Sequence, residues 1–275
     1  KGTYIRTLCT EIGEKLGTKA CMSALLREEV GEFQFKESKT LSEIEKDMKK
    51  GDLSSFLKPA LYSKVPTALT FGKFDGVHLG HQKIFSSVFG IAKDEGLKPA
   101  VLSFTMEKES FFLQGRKDML STEDEHFTRL KNAGFHEVYL YPLTVEAARM
   151  SPEDFVRIIL IDALKVKHLV VGTDCSFGYQ GAGNVEFLKN LQEKYGFRLT
   201  VVEKVLTKSP SGEEVEISSS YIRKALEEGR VEEAAALLGR PYSINGTVVH
   251  GKAIGRSLSF PTANIFPKEG KLIPK

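Results

Sequence analysis

The sequence predicts an α/β protein whose main domain is a doubly wound parallel sheet, and three observations carry that prediction. Apolar runs of strand length recur along the centre of the chain: Ala68-Leu69-Thr70-Phe71, Pro99 to Phe104, Glu137 to Leu140, His168 to Gly172 and Arg198 to Val202. Amphipathic helical segments separate them, and this βα alternation implies strands buried on both faces of a parallel sheet. The first run also leads through a glycine-bearing turn into a helix from about His81. Ligands of such sheets bind beyond the carboxyl ends of the strands.

The remaining elements follow in order. From Gly2 to about Phe35 a small α/β piece is expected, with a helix over Thr10 to Leu16 closed by Gly17. Thr40 opens a second helix with Glu43 placed to complete a capping box, and Gly51 ends it. The stretch Lys58 to Pro66 has two prolines and no periodicity, so it reads as a linker. After the central strands and helices, one final helix runs from Ser219 or Ser220 to about Leu238. Pro241 to Ile265 then becomes strand-like and glycine-rich. The expected partition is residues 1–58, a linker at 59–65, a main domain at 66–238 and a last segment at 239–275. That last piece, about 35 residues long, is too short to fold alone without a metal, disulfide or partner.

Composition narrows the class. Hydrophobic residues at 41% and charged residues at 27% are those of a soluble globular protein. A net charge of +3 from 39 basic and 36 acidic residues gives no broad field for nucleic acid. Cys9, Cys21 and Cys175 are odd in number and widely spaced, which indicates a reducing compartment. No stretch approaches the roughly 18 to 20 apolar residues of a membrane span and no signal-peptide core opens the chain, so a cytoplasmic location is expected. The chain opens on Lys1 and closes on Leu272-Ile273-Pro274-Lys275 with no terminating feature, so both ends are expected to be cut.

The chemistry concentrates in Gly72-Lys73-Phe74-Asp75-Gly76-Val77-His78-Leu79-Gly80-His81-Gln82, directly after the first strand. His78 and His81, three apart at a helix start, point to one side, and Gly80 between them lets an anion approach the backbone. The helix N-terminus adds free N–H groups and a favourable dipole, and the histidines add switchable positive charge. Such a cradle suits adenylyl transfer to a phosphate monoester, an acceptor that is already an anionic nucleophile. Preorganised cations and dipoles then supply the catalysis, with magnesium sharing the load. Taken alone, H-x-x-H also describes histidines that cap a surface helix; the strand before it and the flanking glycines favour phosphate. A zinc site fits poorly, because the spacing is not i,i+4 and no Cys or carboxylate set accompanies it.

The segment GKFDGVHLGHQ resembles the H-x-G-H nucleotidyltransferase motif of the bacterial FAD synthetases, the bifunctional riboflavin kinase/FMN adenylyltransferases. The resemblance implies a Rossmann-like sheet of the nucleotidyltransferase superfamily over residues 66–238. It also implies AMP transfer from ATP to FMN, giving FAD and pyrophosphate. His78 and His81 would bind the ATP phosphates, with Gly72, Phe74, Asp75, Gly76 and Gly80 in the same ATP site.

Ile217-Ser218-Ser219-Ser220-Tyr221-Ile222-Arg223 puts hydroxyls before a helix with an arginine in its first turn. Serines there are natural N-caps, while Arg223 beside them makes a pyrophosphate clamp. The stretch is similar to the family's second signature, S-S-T-x-I-R, with Ser220 in place of threonine. Ser219, Ser220 and Arg223 would then face His78 and His81 across the site, with Arg223 catalytic alongside them. Val170 to Tyr179 resembles the V-G-x-D-F-x-F-G segment, which implies flavin contacts from Asp174, Phe177 and Gly178. Cys175 replaces the usual aromatic and is expected to be inert and buried. Asp174 is expected to orient the loop Gly178 to Gly183. The family's F-x-P-H-P-like segment is absent, since Phe104 is followed by TMEKESFF. Substrates are thus ATP and FMN, with Mg2+ as the implied cofactor and no metal ligand assigned in the domain; the oligomeric state is left open.

The two ends carry other resemblances. Gly239 to Asn264 is similar to the start of the riboflavin kinase module, in which Thr262 and Asn264 of P-T-A-N would ligate Mg-ATP. Lys1 to Leu8 and Met22 to Leu25 resemble part of tRNA pseudouridine synthase B, with Tyr4, Arg6 and Leu25 as the matching residues. Neither family's catalytic acid is found in the chain, so kinase and pseudouridine synthase activities are expected to be absent. The join near Tyr62 to Pro66 suggests a gene fusion or joined neighbouring genes. The alternative is an RNA-modifying or RNA-binding protein, which eleven basic against ten acidic residues over 1–58 disfavour.

Overall fold

A computed structural model describes residues 29–30, 33–34, 61–105, 118–209, 211–249 and 264–275. The chain divides into two compact units, Lys1–Ser55 and Phe56–Lys275. In the first, Glu29–Val30 and Phe33–Gln34 pair antiparallel, with Val30 opposite Phe33. The expected helices at Thr10 to Leu16 and after Thr40, and the residues Tyr4, Arg6 and Leu25, lie outside the described residues, as does Thr262.

The second unit is built on five parallel strands: β1 (Thr67–Gly72), β2 (Lys98–Thr105), β3 (Glu137–Pro142), β4 (Val166–Gly172) and β5 (Arg198–Val202). Their order across the sheet is β3-β2-β1-β4-β5. The apolar runs become strands because both faces are covered: Ala68, Leu69, Ala100, Val101, Leu102, Leu169 and Val170 have no exposed surface. The winding reverses between β1 and β4, so a crevice opens beyond Gly72 and Gly172, the last residues of those strands.

Helix α1 (Leu79–Glu95) follows β1, buries Phe85, Val88 and Ala92 against the sheet, and ends on Gly96 at φ 65°. Complete burial of a side chain such as Phe85 contributes about 2 to 3 kcal/mol. α2 (Glu123–Asn132) starts with a full capping box between Thr122 and Glu125. α3 (Phe155–Ala163) has the wide i→i−5 pattern, as in Leu164 N donating to Ile159 O at 3.0 Å, and its nine residues are almost wholly apolar. α4 (Val185–Tyr195) runs from Asn184 as N-cap to Gly196. A hairpin of β6 (Leu206–Lys208) and β7 (Glu214–Glu216) precedes the last helices.

The expected single helix to Leu238 is two helices, α5 (Ser219–Glu227) and α6 (Val231–Leu238). Gly229 at φ 75° separates them; its N–H bonds Leu226 O while Arg230 N bonds Ala225 O, a Schellman closure that ends α5. The strand-like tail is an antiparallel pair, β8 (Gly246–Val249) with β9 (Asn264–Pro267), in which Asn264 is exposed. Leu272 joins Leu120, Ile222, Leu226 and Leu237 in an apolar cluster. No helix among the described residues is long and apolar enough to cross a membrane.

Candidate active site

The loop after β1 is held in a rare conformation. Phe74 and Val77 have φ of 46° and Gly76 has φ 81°. For β-branched Val77 this costs on the order of 1 to 3 kcal/mol. Burial of Phe74 and Val77 and hydrogen bonds from Val77 N to Phe74 O (3.0 Å) and from Gln82 Nε2 to Val77 O (3.0 Å) hold it there. At Gly76 a Cβ would also stand 2.8 Å from Leu120 Cδ1. His78 ends the loop as the N-cap of α1, its Nδ1 facing His81 N at 3.4 Å. The two imidazoles stack with centroids 3.6 Å apart and planes 22° from parallel. A Cβ on Gly80 would meet the His78 ring at 3.1 Å and Ile217 O at 3.2 Å. A side chain at position 80 would therefore press on both signatures, and Gly80 also lines an open recess beside the histidines.

The electrostatics also differ from expectation. Burial, and then the charge of Arg223, lowers the His78 pKa to about 4. Burial, and then His78 and His126, hold His81 well below the ordinary imidazole range. Both rings are neutral at neutral pH, so the fixed positive charge of the motifs comes from Arg223 and Lys73 and not from the histidines. His81 Nδ1 is buried with no hydrogen-bond partner among the described residues.

The second signature meets the first through Asp75. Ser218 caps α5 by accepting from Tyr221 N at 3.2 Å, and Ser219 Oγ donates to Asp75 O at 2.8 Å. The buried Asp75 carboxylate accepts from Leu120 N and Ser121 N, both at 3.1 Å, and pairs with Arg223 Nη2 at 2.8 Å. With its oxygens committed to these three donors, Asp75 fixes Arg223 and the loop. Its backbone carbonyl takes the serine.

A cavity of about 720 Å³ opens beyond the ends of β1 and β4. Gly72, Phe74, Asp75 and His81 line it from the first motif, Ser219, Ser220 and Arg223 from the second, and Asp174 and Cys175 from the loop after β4. A smaller recess of about 210 Å³ shares His81, Asp174 and Ser219 and is lined further by His78 and Gly80. Gly76 lies apart from these linings, against Leu120 and Leu238.

Phe177 and Gly178 are not among the residues that line this cavity. Phe177 is buried among rings, 5.4 Å from Phe71 and 5.5 Å from Phe155, and Gly178 at φ 72° packs on Pro152. The loop from Gly178 to Gly183 is held by the Phe177–Gly183 backbone pair and by Tyr179 N bonding Met150 O at 2.8 Å. Asp174, expected to orient that loop, instead lies 3.6 Å from Lys204 Nζ. Burial pushes the Cys175 thiol up to about 12, which leaves it a poor nucleophile at neutral pH.

Several lining residues carried no sequence assignment. Lys73, Phe104 and Met119 border both this cavity and a neighbouring one of about 460 Å³, which His126 also lines. His126 Nε2 lies 2.7 Å from Ser103 Oγ, at the carboxyl end of β2. Position at a strand end was the available signal for Phe104. The amides of Leu120 and Ser121 gave none, because every residue type except proline has a backbone N–H.

Comparison with known proteins gives three family matches: FAD synthetase over residues 62–221, riboflavin kinase over 238–275, and tRNA pseudouridylate synthase B C-terminal domain over 6–62. The bifunctional riboflavin kinase/FMN adenylyltransferase of Listeria monocytogenes is 37% identical over 216 residues, covering 78% of this chain and 67% of that protein. Those of Buchnera aphidicola and Bacillus subtilis are each 35% identical, over 208 and 211 residues, covering 75% and 76% of this chain and 65% and 64% of those proteins. The chain thus spans about two thirds of the length of these relatives. A crystal structure titled as a macrolide-efflux protein from Streptococcus pneumoniae matches with a TM-score of 0.66 and 30% identity, covering 77% of this chain and 67% of that one.

Proposed function

The chain belongs to the FAD synthetase family, and from that premise we propose that its central site transfers AMP from ATP to FMN, giving FAD and pyrophosphate. The observation that carries this reading is the meeting of His81, Ser219, Ser220 and Arg223 on one cavity at the reversal point of a parallel sheet. The FMN phosphate oxygen attacks the α-phosphorus of ATP. One P–O bond forms, the bond to the β-phosphate oxygen breaks, and pyrophosphate leaves with the electron pair. No general base is needed, since the acceptor is already an anion.

Arg223, oriented by Asp75, offers its guanidinium to the phosphates, and the hydroxyls of Ser219 and Ser220 border the same space. The neutral imidazoles of His78 and His81 serve as hydrogen-bonding groups whose basicity rises as phosphate approaches. A cavity of about 720 Å³ is of the size that holds a nucleotide-sized ligand. Phe104 and Asp174 on its wall are the candidates for flavin contact.

Magnesium fits this site as a companion of the nucleotide. Among the described residues no three His, Cys, Asp or Glu side chains form a metal cage, and the Asp75 carboxylate already accepts three hydrogen bonds. Such a site suits an ion that keeps its waters and binds substrate phosphates, with Asp174 as the nearby exposed carboxylate. When bound it would offset negative charge on the phosphates. Incubation with ATP, FMN and magnesium should yield FAD and pyrophosphate in equal amounts; ATP breakdown without FAD would sink the reading.

A further inference from the structure

The loop that carries the first motif is gripped by the segment that follows α6. Arg240 Nη2 donates to Gly76 O at 2.6 Å. Residues 270–272 run parallel beside Met119, with Met119 N bonding Gly270 O at 2.8 Å and Leu272 N bonding Met119 O at 2.9 Å. The fully buried Lys271 side chain donates to Leu120 O at 2.8 Å, pairs with Glu125 Oε2 at 2.6 Å and lies 4.5 Å from the Tyr242 ring centroid.

These contacts fall on the backbone that sets Asp75. Gly76 is its chain neighbour, and Leu120 supplies one of the amides on its carboxylate while its side chain fills the space beside Gly76. Asp75 in turn holds Arg223. A loop with two non-glycine residues at positive φ keeps that geometry only when its surroundings over-determine it. The Arg240 hydrogen bond to the loop carbonyl of Gly76, and that of Lys271 to the carbonyl of the neighbouring Leu120, are strong, directional restraints of that kind. Packing alone would need only an apolar side chain at position 271.

We propose that residues 239–249 and 264–275, which lie in the stretch that matches the riboflavin kinase family, form part of the adenylyl-transfer site, with Arg240 and Lys271 as positioning residues for the Gly72–His78 loop and the Arg223 guanidinium. This rests on the adenylyl-transfer reading above. It makes the nucleotide site sensitive to the state of the segment where the kinase-like region begins.

The test uses the full chain and follows FAD formation with ATP and FMN varied separately. Arg240→Ala should raise the KM for ATP about tenfold, by misplacing the phosphate-binding groups, and leave the KM for FMN unchanged. Arg240→Lys should restore most of the loss. The paired change Glu125→Gln with Lys271→Met removes both buried charges together and should give the same ATP-specific shift with cooperative unfolding retained. Unchanged ATP kinetics in both variants, or a fall in kcat that only follows the folded fraction, would overturn the proposal. If the unaltered chain makes no FAD, the functional reading falls separately. Titration with a non-hydrolysable ATP analogue then decides the positioning claim: about tenfold weaker binding by the variants supports it, and equal binding overturns it.

Discussion

Asp75 and Arg223 stand 148 positions apart in the chain and are joined by a 2.8 Å carboxylate–guanidinium contact. One belongs to the loop after the first strand and the other is the fifth residue of α5, so the contact ties together the two motifs that line the cavity. Asp75 is 4% exposed, and its carboxylate accepts two further hydrogen bonds, from the amides of Leu120 and Ser121.

Asp75→Ala should therefore destabilise the fold by about 3 kcal/mol, because it leaves a half-buried guanidinium and two amides without their acceptor. Urea unfolding measures this. A loss of under about 0.5 kcal/mol, the size expected of an exposed pair, would show that the contact is solvent-screened.

Stability should fall on mild acidification. His78 and His126 each titrate near 4 in the folded chain, lowered chiefly by burial, against about 6.5 when unfolded. Between those values the unfolded state binds more protons, so stability rises with pH through the window and levels off above it. Each histidine contributes up to about 1.4 kcal/mol per pH unit. Urea midpoints should be lower at pH 5.5 than at pH 7.5, and His78→Gln with His126→Gln should reduce the difference, leaving the part due to His81. Equal midpoints in the unaltered chain would contradict the buried, neutral state.

Two glycines of α1 should respond in opposite directions to alanine. At Gly90 a Cβ meets nothing within 4 Å, so Gly90→Ala should stabilise by about 0.5 to 1 kcal/mol through helix propensity. At Gly80 it would press on the His78 ring and on Ile217 O, so Gly80→Ala should cost about 1 to 3 kcal/mol. Thermal unfolding of the two variants gives the signs, and a stabilised Gly80→Ala would refute the packing described for His78.

The parallel sheet was legible because its strands are short apolar runs that alternate with amphipathic helices, while the strand order across it is set by which runs meet in space. The meeting of His81 with Ser219, Ser220 and Arg223 was legible through the resemblance of their two motifs to the FAD synthetase signatures. What escaped the sequence depends on distance or on desolvation. The break at Gly229 was hidden because Leu226 to Leu237 keeps helical spacing across it. The neutral state of His78 comes from burial beside Arg223, which no local pattern encodes. The commitment of Asp75 to backbone amides, and the burial of Lys271 against Leu120, arise only when segments far apart in the chain meet.

The most direct measurement is the rate of FAD formation from ATP, FMN and magnesium by the unaltered chain and by a variant carrying His78→Ala and His81→Ala. The account predicts FAD with matching pyrophosphate from the unaltered chain and a loss of about 100-fold or more in the variant, the scale of losing preorganised groups around a transferring phosphate. An unaltered chain that makes no FAD, or a folded variant that makes it at the original rate, would contradict the account.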